Sequence, residues 1–126
     1  MDRESQERFH PESKPFWEAA ANGRFLIKRC TECAEPHWYP RQLCPFCLGD
    51  TVWEESRGEG EIYTFTLSQR DAGAVHARGY VVLDEGPAVY TALVARNWEA
   101  LRIGARAKVV LPPEEPDKFP RFELLD

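Results

Sequence analysis

The chain contains no apolar run that approaches the roughly 20 residues needed to span a bilayer. Its first thirty residues carry charges throughout and have no apolar core segment, so we expect no signal peptide and a cytoplasmic location. Cations are not in excess either, because 16 lysines and arginines stand against 21 aspartates and glutamates. A protein that binds nucleic acid through its overall charge needs cations that displace counterions from the phosphates. The excess of acidic residues therefore argues against a general nucleic-acid-binding protein.

The sequence is also poor in the patterns that enzymes use. It has only three histidines, no Ser-His-Asp or Cys-His arrangement and no glycine loop that would cradle a phosphate. Carboxylates are plentiful but scattered, which gives no support to a paired acid and base. The 126 residues suffice for about one domain. We therefore expect a subunit without catalytic residues of its own, whose function a partner completes.

All four cysteines lie within eighteen residues, at Cys30, Cys33, Cys44 and Cys47, with the spacing C-x2-C-x10-C-x2-C. A disulfide framework would spread its cysteines, whereas two C-x-x-C turns present four thiolates to one tetrahedral ion. We predict a structural zinc that contributes folding energy to a unit too small for its own core. The alternative is iron in the same cage, as in a rubredoxin-type electron carrier. A thioredoxin-like redox pair would not need the second pair of cysteines.

The N-terminal part predicts a short helix. Residues 1–12 are polar and read as a loosely ordered arm, after which Ser13 can cap a helix that ends before Gly23. A helix of barely two turns is not stable alone in water. Phe16 and Trp17 must therefore pack either on this chain or on a partner.

The rest of the chain predicts β structure. A strand, two cysteine turns and a return strand fill residues 24–57, and five segments after residue 58 carry β patterns. These segments are 61–69, 80–83, 88–95, 101–111 and a possible edge strand at 119–125, with a loop at 69–79. We predict a mostly β chain in three parts: an arm and short helix at 1–23, a zinc ribbon at 24–57 and a small OB-fold barrel at 58–126.

Two strands show clear period-two alternation. Tyr63, Phe65 and Leu67 alternate with threonine and serine in the first barrel strand. In residues 101–111 one predicted face is apolar and the other basic. The apolar face comprises Leu101, Ile103, Ala105, Ala107, Val109 and Leu111, and the basic face comprises Arg102, Arg106 and Lys108. The basic row is either a solvated strand face or a contact for an anionic cofactor such as a CoA phosphate.

Three residues between the cysteine pairs are further candidates for binding. Trp38 and Tyr39 either form a small core beneath the ribbon or present a contact surface to a partner or an adenine-type ring. Arg41 can meet a phosphate or carboxylate in a forked geometry. His37 reads as a loop histidine, with a contact to the metal site or to a substrate as the alternative.

The order of these segments resembles a known family. The resemblance covers residues 13–111, most of the chain, and it rests on a short aromatic helix followed by the segments FLIKRCTEC, WYPRQLCPFC, VWEESRGEGEIYTFT, YVVLDEGPAVYTALV and LRIGARAKVVL. They are similar to small proteins that join a rubredoxin-like zinc ribbon to a C-terminal OB-fold, catalogued as domain of unknown function thirty-five. The chain departs from the family at Ala34 and Leu48, where glycine often follows the cysteine, and at Gly79, where proline is usual.

The resemblance implies an accessory role in acyl-CoA metabolism. Family members partner thiolase-like enzymes, including thiolases and the lipid-transfer-protein-like aldolases of steroid side-chain breakdown, and others join hydratases or synthases. The four cysteines then correspond to the zinc ligands, and Tyr39, Pro40 and Arg41 to the family's aromatic-Pro-Arg run. The implied function is a non-catalytic subunit of a hetero-oligomer that helps form an acyl-CoA site in lipid degradation. A module that binds single-stranded nucleic acid remains an alternative, although residues 61–126 carry 8 basic and 10 acidic side chains.

Overall fold

The computed structural model describes residues 2–70, 74–111 and 118–125. Within them lie α1 (Arg3–Phe9), α2 (Lys14–Ala21), β1 (Phe25–Cys30), β2 (Pro36–His37), β3 (Thr51–Ser56), β4 (Glu59–Arg70), β5 (Ala74–Leu83), β6 (Ala88–Val94), β7 (Arg106–Val110) and β8 (Arg121–Leu124). Short 3-10 turns span Pro11–Ser13 and Trp98–Ala100. The first three strands form one sheet in the order β2-β1-β3, and the other five close a barrel. The predicted mostly β class, with short helices, a ribbon and a small OB-like barrel, is confirmed.

The N-terminal arm is more ordered than its composition predicted. Residues 3–9 form α1 because the Asp2 carboxylate caps the helix, accepting from the Ser5 backbone N–H at 2.8 Å. Arg3 and Glu7, one turn apart, form an ion pair at 2.9 Å. The expectation of a loose arm was therefore wrong for this segment. The Ser13 hydroxyl does not cap α2 either, since it donates to the His10 carbonyl.

An aromatic core joins the helix, the ribbon and the barrel. Phe16 and Trp17 of α2 are both completely buried, which favours the core interpretation over the interface. The Phe16 ring lies 4.9 Å from Trp38 and 6.0 Å from Phe119, between ring centroids. Phe25 of β1 lies 5.9 Å from Phe122 of β8. Because these rings come from three parts of the chain, ribbon and barrel share one core.

The barrel has the strand order β4-β5-β6-β8-β7, in which β6 and β8 run parallel and the other pairs antiparallel. This is the order of an OB-fold, with its fifth strand between the third and the fourth. The edge position predicted for the last strand was wrong, because β8 closes the barrel between β6 and β7. A closed barrel needs that strand, because it pairs with the backbone edges of β6 and β7 that would otherwise be open.

Strands β4 and β5 form a longer hairpin than the sequence predicted. The loop expected at 69–79 is largely strand, since β5 already begins at Ala74. A bulge between Ile62 and Thr64 changes which side chains of β4 point toward the barrel interior. Ile62 is buried, whereas Tyr63 is 67% exposed. The alternation of Tyr63, Phe65 and Leu67 therefore does not mark a continuous buried face, because Leu67 is also half exposed.

Strand β7 is shorter than the predicted 101–111. Gly104 has a φ of 91°, and the turn it makes delays the strand until Arg106. The alternating pattern holds for Ala105 and Ala107, which are buried. It fails at Ile103, which is 69% exposed because it lies in the turn.

Gly79 explains one departure from the family pattern. It lies opposite Phe65 in the β4–β5 pair, and a methyl group there would overlap the backbone carbonyl of Thr64. We expect Gly79→Ala to lower the free energy of unfolding by about 1–3 kcal/mol, because backbone must shift. Gly49→Ala is the matched control, since its new methyl would meet only the flexible Glu32 side chain. Guanidinium denaturation compares the two, and equal losses would contradict this account.

Candidate metal centre and the adjacent cleft

The four cysteine sulfurs form one cluster. Their Sγ atoms all lie within 4.8 Å of one another, with Cys30 and Cys47 3.4 Å apart and Cys33 and Cys44 3.7 Å apart. A tetrahedron with a Zn–S distance of about 2.3 Å has sulfur–sulfur edges of about 3.8 Å. The cluster therefore fits a tetrahedral zinc ion without an open position, and such an ion stabilises the fold.

The local backbone builds each half of this cage. The backbone N–H groups of Glu32 and Cys33 donate to the Cys30 sulfur at 3.3 Å, and that of Phe46 donates to the Cys44 sulfur at 3.3 Å. The residues after each pair, Ala34 and Leu48, have φ values of 64° and 65°. Glycine adopts this left-handed region without strain, and other residues adopt it at about 1–2 kcal/mol. The family's glycine preference at these two positions thus has a backbone cause.

The electrostatics of the sulfurs also suit a cation. The backbone hydrogen bond from Cys33 is the main cause that lowers the pKa of Cys30 to about 7. At Cys33 the backbone hydrogen bond from Glu35 lowers the pKa, but burial and the neighbouring sulfurs outweigh it and raise the pKa to about 12. Four thiolates so close repel one another, and a divalent ion among them removes that repulsion.

A cleft of about 500 Å³ lies between the ribbon and the β5–β6 turn. One wall comprises residues 35–41 between the cysteine pairs together with Pro45 and Phe46 within the second pair, and the other wall is the turn that follows β5. Its lining residues are Glu35, Pro36, His37, Trp38, Arg41, Pro45, Phe46, Glu85, Gly86, Pro87 and Ala88. Rings, prolines and a few polar groups make a wall of the kind that holds small organic ligands.

His37 lines this cleft and is largely buried. It is 4% exposed, and its Nε2 accepts the Arg41 backbone N–H at 3.3 Å. Burial, and then the positive charges of Lys28 and Arg41, hold the pKa of His37 below its usual value. The ring is therefore neutral at pH 7 and carries its proton on Nδ1, which has no hydrogen-bond partner among the described residues.

Arg41 supplies the cleft with an unpaired cation. Its side chain is exposed, and its guanidinium forms no hydrogen bond or ion pair with the described residues. Glu85 on the opposite wall is already held, since its carboxylate accepts from the Ser56 hydroxyl and the Arg57 backbone N–H. The cleft can thus receive an anionic group at Arg41 without first breaking an internal ion pair.

The structure brings only some of the predicted binding residues together. Trp38 and Arg41 line the cleft, whereas Phe16 and Trp17 lie in the core. Tyr39 is half buried, and burial raises its pKa, so its phenol is neutral. Its ring lies 5.7 Å from that of His10 and outside the cleft lining.

The basic row of residues 102–108 is not gathered at the cleft. Arg106 is engaged by a forked ion pair with Asp84, in which both distances are 2.8 Å. Lys108 lies on β7 opposite Glu59 and Glu123, and Arg102 precedes the strand. The alternative of a solvated strand face describes these residues better than an anion site does.

Sequence reasoning gave too little weight to His37 and omitted the 85–88 turn and Phe46. His37 belongs to the short strand β2, paired with Lys28 of β1, and not to a solvated loop. The sequence indicates a turn at residues 84–87, but no local pattern reveals that this turn reaches the ribbon, because that contact forms only when the barrel packs on the ribbon. The aromatic residue within CPFC was a signal available for Phe46.

The fold and the cysteine cage together define the class of this protein. It is a protein in which a rubredoxin-like zinc ribbon is joined to an OB barrel. Residues 17–54 match the family described as "ChsH2, rubredoxin-like zinc ribbon domain", and residues 53–111 match "ChsH2, C-terminal OB-fold domain". The chain belongs to this ChsH2-type family, so the family predicted from its residues is confirmed.

Individual relatives agree with this assignment. A curated relative, "Probable enoyl-CoA hydratase alpha subunit" of Thermomonospora curvata, is 32% identical over 96 residues, which is 71% of this chain. The chain spans only 30% of that relative's length. The solved "Ltp2-ChsH2(DUF35) aldolase" has a TM-score of 0.74 at 24% identity, with 89% of this chain and 93% of that chain covered. A DUF35-family protein of unknown function from Sulfolobus solfataricus has a TM-score of 0.72 at 16% identity, with coverages of 96% and 92%.

None of the helices in the described ranges is long and apolar enough to cross a membrane.

Proposed function

We propose that this protein is a non-catalytic accessory subunit that complexes with a thiolase-like enzyme and helps form its acyl-CoA site. The observation that carries the proposal is the cleft beside the metal centre, which combines an exposed Arg41, unpaired among the described residues, with the rings of Trp38 and Phe46. Among the hydrogen bonds of the described residues, no histidine is paired with a serine or cysteine side chain, and the Ser56 hydroxyl that donates to Glu85 belongs to a buried residue. The cleft therefore supports binding, and the partner supplies the catalytic groups.

The chemistry of the cleft suits an acyl-CoA. That class of ligand carries phosphates and an adenine ring, which call for a cation and flat apolar surfaces. Arg41 offers a forked donor to a phosphate. Trp38 and Phe46 supply rings at the same wall. We place the function in the degradation of lipids, with steroid side chains as one substrate class.

A retro-aldolase of the thiolase type is the partner favoured by the structural likeness to the "Ltp2-ChsH2(DUF35) aldolase". A second candidate is a hydratase. It is favoured by the 32% identity to a relative named as an enoyl-CoA hydratase subunit, in which the matching region is 30% of the length. In both cases the chain itself acts by completing a site.

Co-expression with the thiolase-like and hydratase-like enzymes of the same genome tests this proposal. We expect one of them to co-elute with the chain and Arg41→Ala to raise the KM of that complex for its acyl-CoA about tenfold, as loss of a hydrogen bond to a charged group implies. The turnover number should change little, because Arg41 lies outside the reacting centre. Arg102→Ala is the matched control, an exposed arginine outside the cleft lining.

Two outcomes would contradict the proposal. If every candidate enzyme elutes separately and is fully active and soluble alone, the chain is not its subunit. If Arg102→Ala raises the KM and Arg41→Ala does not, a ligand binds at the start of β7 and the cleft is not its site.

A further inference from the structure

One edge of β4 lacks a neighbouring strand over half of its length. β4 pairs with β7 only at Glu59–Glu61, and Ile62 adds backbone hydrogen bonds to Gly104 and Ala105. Beyond that point, residues 63–68 have no described strand on one side, and on the other side residues 64–68 pair with β5 after the bulge at Tyr63. These six residues include no charged side chain and no proline. Natural edge strands are usually protected by such residues, so an unprotected edge indicates that something covers it.

A flat surface of polar and aromatic side chains continues from this edge. Residues opposite one another on paired strands share a face, and Tyr80 lies opposite both Thr64 and Tyr90. By the same register, Arg78 lies opposite Thr66 and Ala92, and His76 opposite Ser68. We call this set the tyrosine face: Thr64, Thr66, Ser68, His76, Arg78, Tyr80, Tyr90 and Ala92.

The centre of the tyrosine face is already arranged as a contact site. The rings of Tyr80 and Tyr90 lie 5.1 Å apart between centroids, and the guanidinium of Arg78 lies 5.9 Å from the Tyr90 ring. Tyr80 and Tyr90 nevertheless remain 43% and 50% exposed. Tyrosine and arginine dominate the binding energy of protein interfaces, because they combine large apolar area with a polar end. In an OB barrel the second and third strands, here β5 and β6, commonly carry the ligand.

The charge of this surface differs from that of the rest of the molecule. The whole sequence has 21 aspartates and glutamates and a net charge of −5. Residues 62–70, 74–83 and 86–96 contain none of these carboxylates. Among the described residues of the tyrosine face, Arg78 therefore has no acidic neighbour. A complementary partner surface is apolar and offers a carboxylate opposite Arg78.

We propose that the tyrosine face and the adjoining edge of β4 are the docking surface for the thiolase-like partner subunit. The inference rests on the proposed function and specifies where the partner binds. Single-stranded nucleic acid fits less well, because the face carries one arginine where a phosphate backbone requires a row of cations. A second copy of the chain, docked face to face, would offer Arg78 no carboxylate.

Two substitutions test the docking surface in the co-expressed complex. We expect Tyr90→Ala to weaken the complex about 30-fold or more, as loss of a central interface residue does. Leu67→Lys places a charge on the open edge and should weaken it to a similar extent. Val52→Lys is the matched control, because Val52 is a strand residue of the ribbon with 49% exposure, against 51% for Leu67. Affinity is measured by titrating labelled chain with the partner, after circular dichroism and zinc content show each variant to be folded.

The outcomes separate the docking surface from the proposed function. If wild-type chain binds no thiolase-like enzyme, both proposals fail. If it binds but Tyr90→Ala and Leu67→Lys bind as tightly as wild type, only the docking surface is wrong. The docking surface is also overturned if Leu67→Lys instead converts a dimer of the isolated chain into a monomer in sedimentation. Salt-sensitive binding of a thirty-nucleotide oligothymidine that Tyr90→Ala abolishes would assign the face to nucleic acid.

Discussion

Replacing Cys44 by serine is expected to unfold the ribbon. Cys44 is completely buried, and its sulfur lies among the other three ligands. Structural zinc contributes about 10–16 kcal/mol to the folding of small zinc units, which equals or exceeds the whole stability of a typical domain, about 5–15 kcal/mol. Because Phe25 of the ribbon packs against Phe122 of the barrel, we expect the barrel to lose stability as well.

Thermal melting with a parallel metal analysis measures this effect. Wild-type protein should be colourless, hold one zinc per chain and melt at a lower temperature after a strong chelator is added. Thr31→Ala is the matched control within the same knuckle, since Thr31 is exposed and only its hydroxyl bond to the Asp50 carbonyl is lost. A Cys44→Ser variant that melts like wild type would refute a structural metal. A coloured protein with stoichiometric iron would instead support the electron-carrier alternative.

The elements that could be predicted from the sequence are those set by local chemistry. The cysteine spacing fixes the two turns of the ribbon, because each C-x-x-C must bring two sulfurs to one ion. The hairpin of β5 and β6 follows from two apolar runs around an Asp-Glu-Gly-Pro turn at residues 84–87. Each of these two elements is formed by residues that are close together in the sequence. For such elements the sequence pattern predicts the observed structure.

The features that sequence reasoning missed depend on contacts between distant segments. A bulge at Tyr63 turns an alternating strand partly outward, and no propensity marks where the barrel bends. β8 was predicted to be an edge strand, because the sequence of so short a strand does not reveal that it pairs with both β6 and β7. The cleft exists only because the 85–88 turn approaches the ribbon. Individual binding residues such as Trp38 and Arg41 could therefore be predicted from the sequence. Their assembly into one cleft could not be predicted.

The shared aromatic core should make a single ring in α2 critical for the whole molecule. Phe16 is completely buried and contacts the rings of Trp38, Phe25 and Phe119, so it links helix, ribbon and the segment before β8. We expect Phe16→Ala to lower the free energy of unfolding by about 3–5 kcal/mol, from lost burial and the cavity left behind. Phe9→Ala is the matched control with little expected change, because Phe9 in α1 is 69% exposed.

Guanidinium denaturation followed by tryptophan fluorescence distinguishes this core role from an interface role. If Phe16 served a partner, Phe16→Ala would leave the isolated chain within about 0.5 kcal/mol of wild type, as surface substitutions usually do. If it joins ribbon and barrel, the isolated chain loses stability and both parts unfold in one transition. A large loss confined to the ribbon, with the barrel signal unchanged, would show that the two parts fold independently and that the aromatic contact between them contributes little.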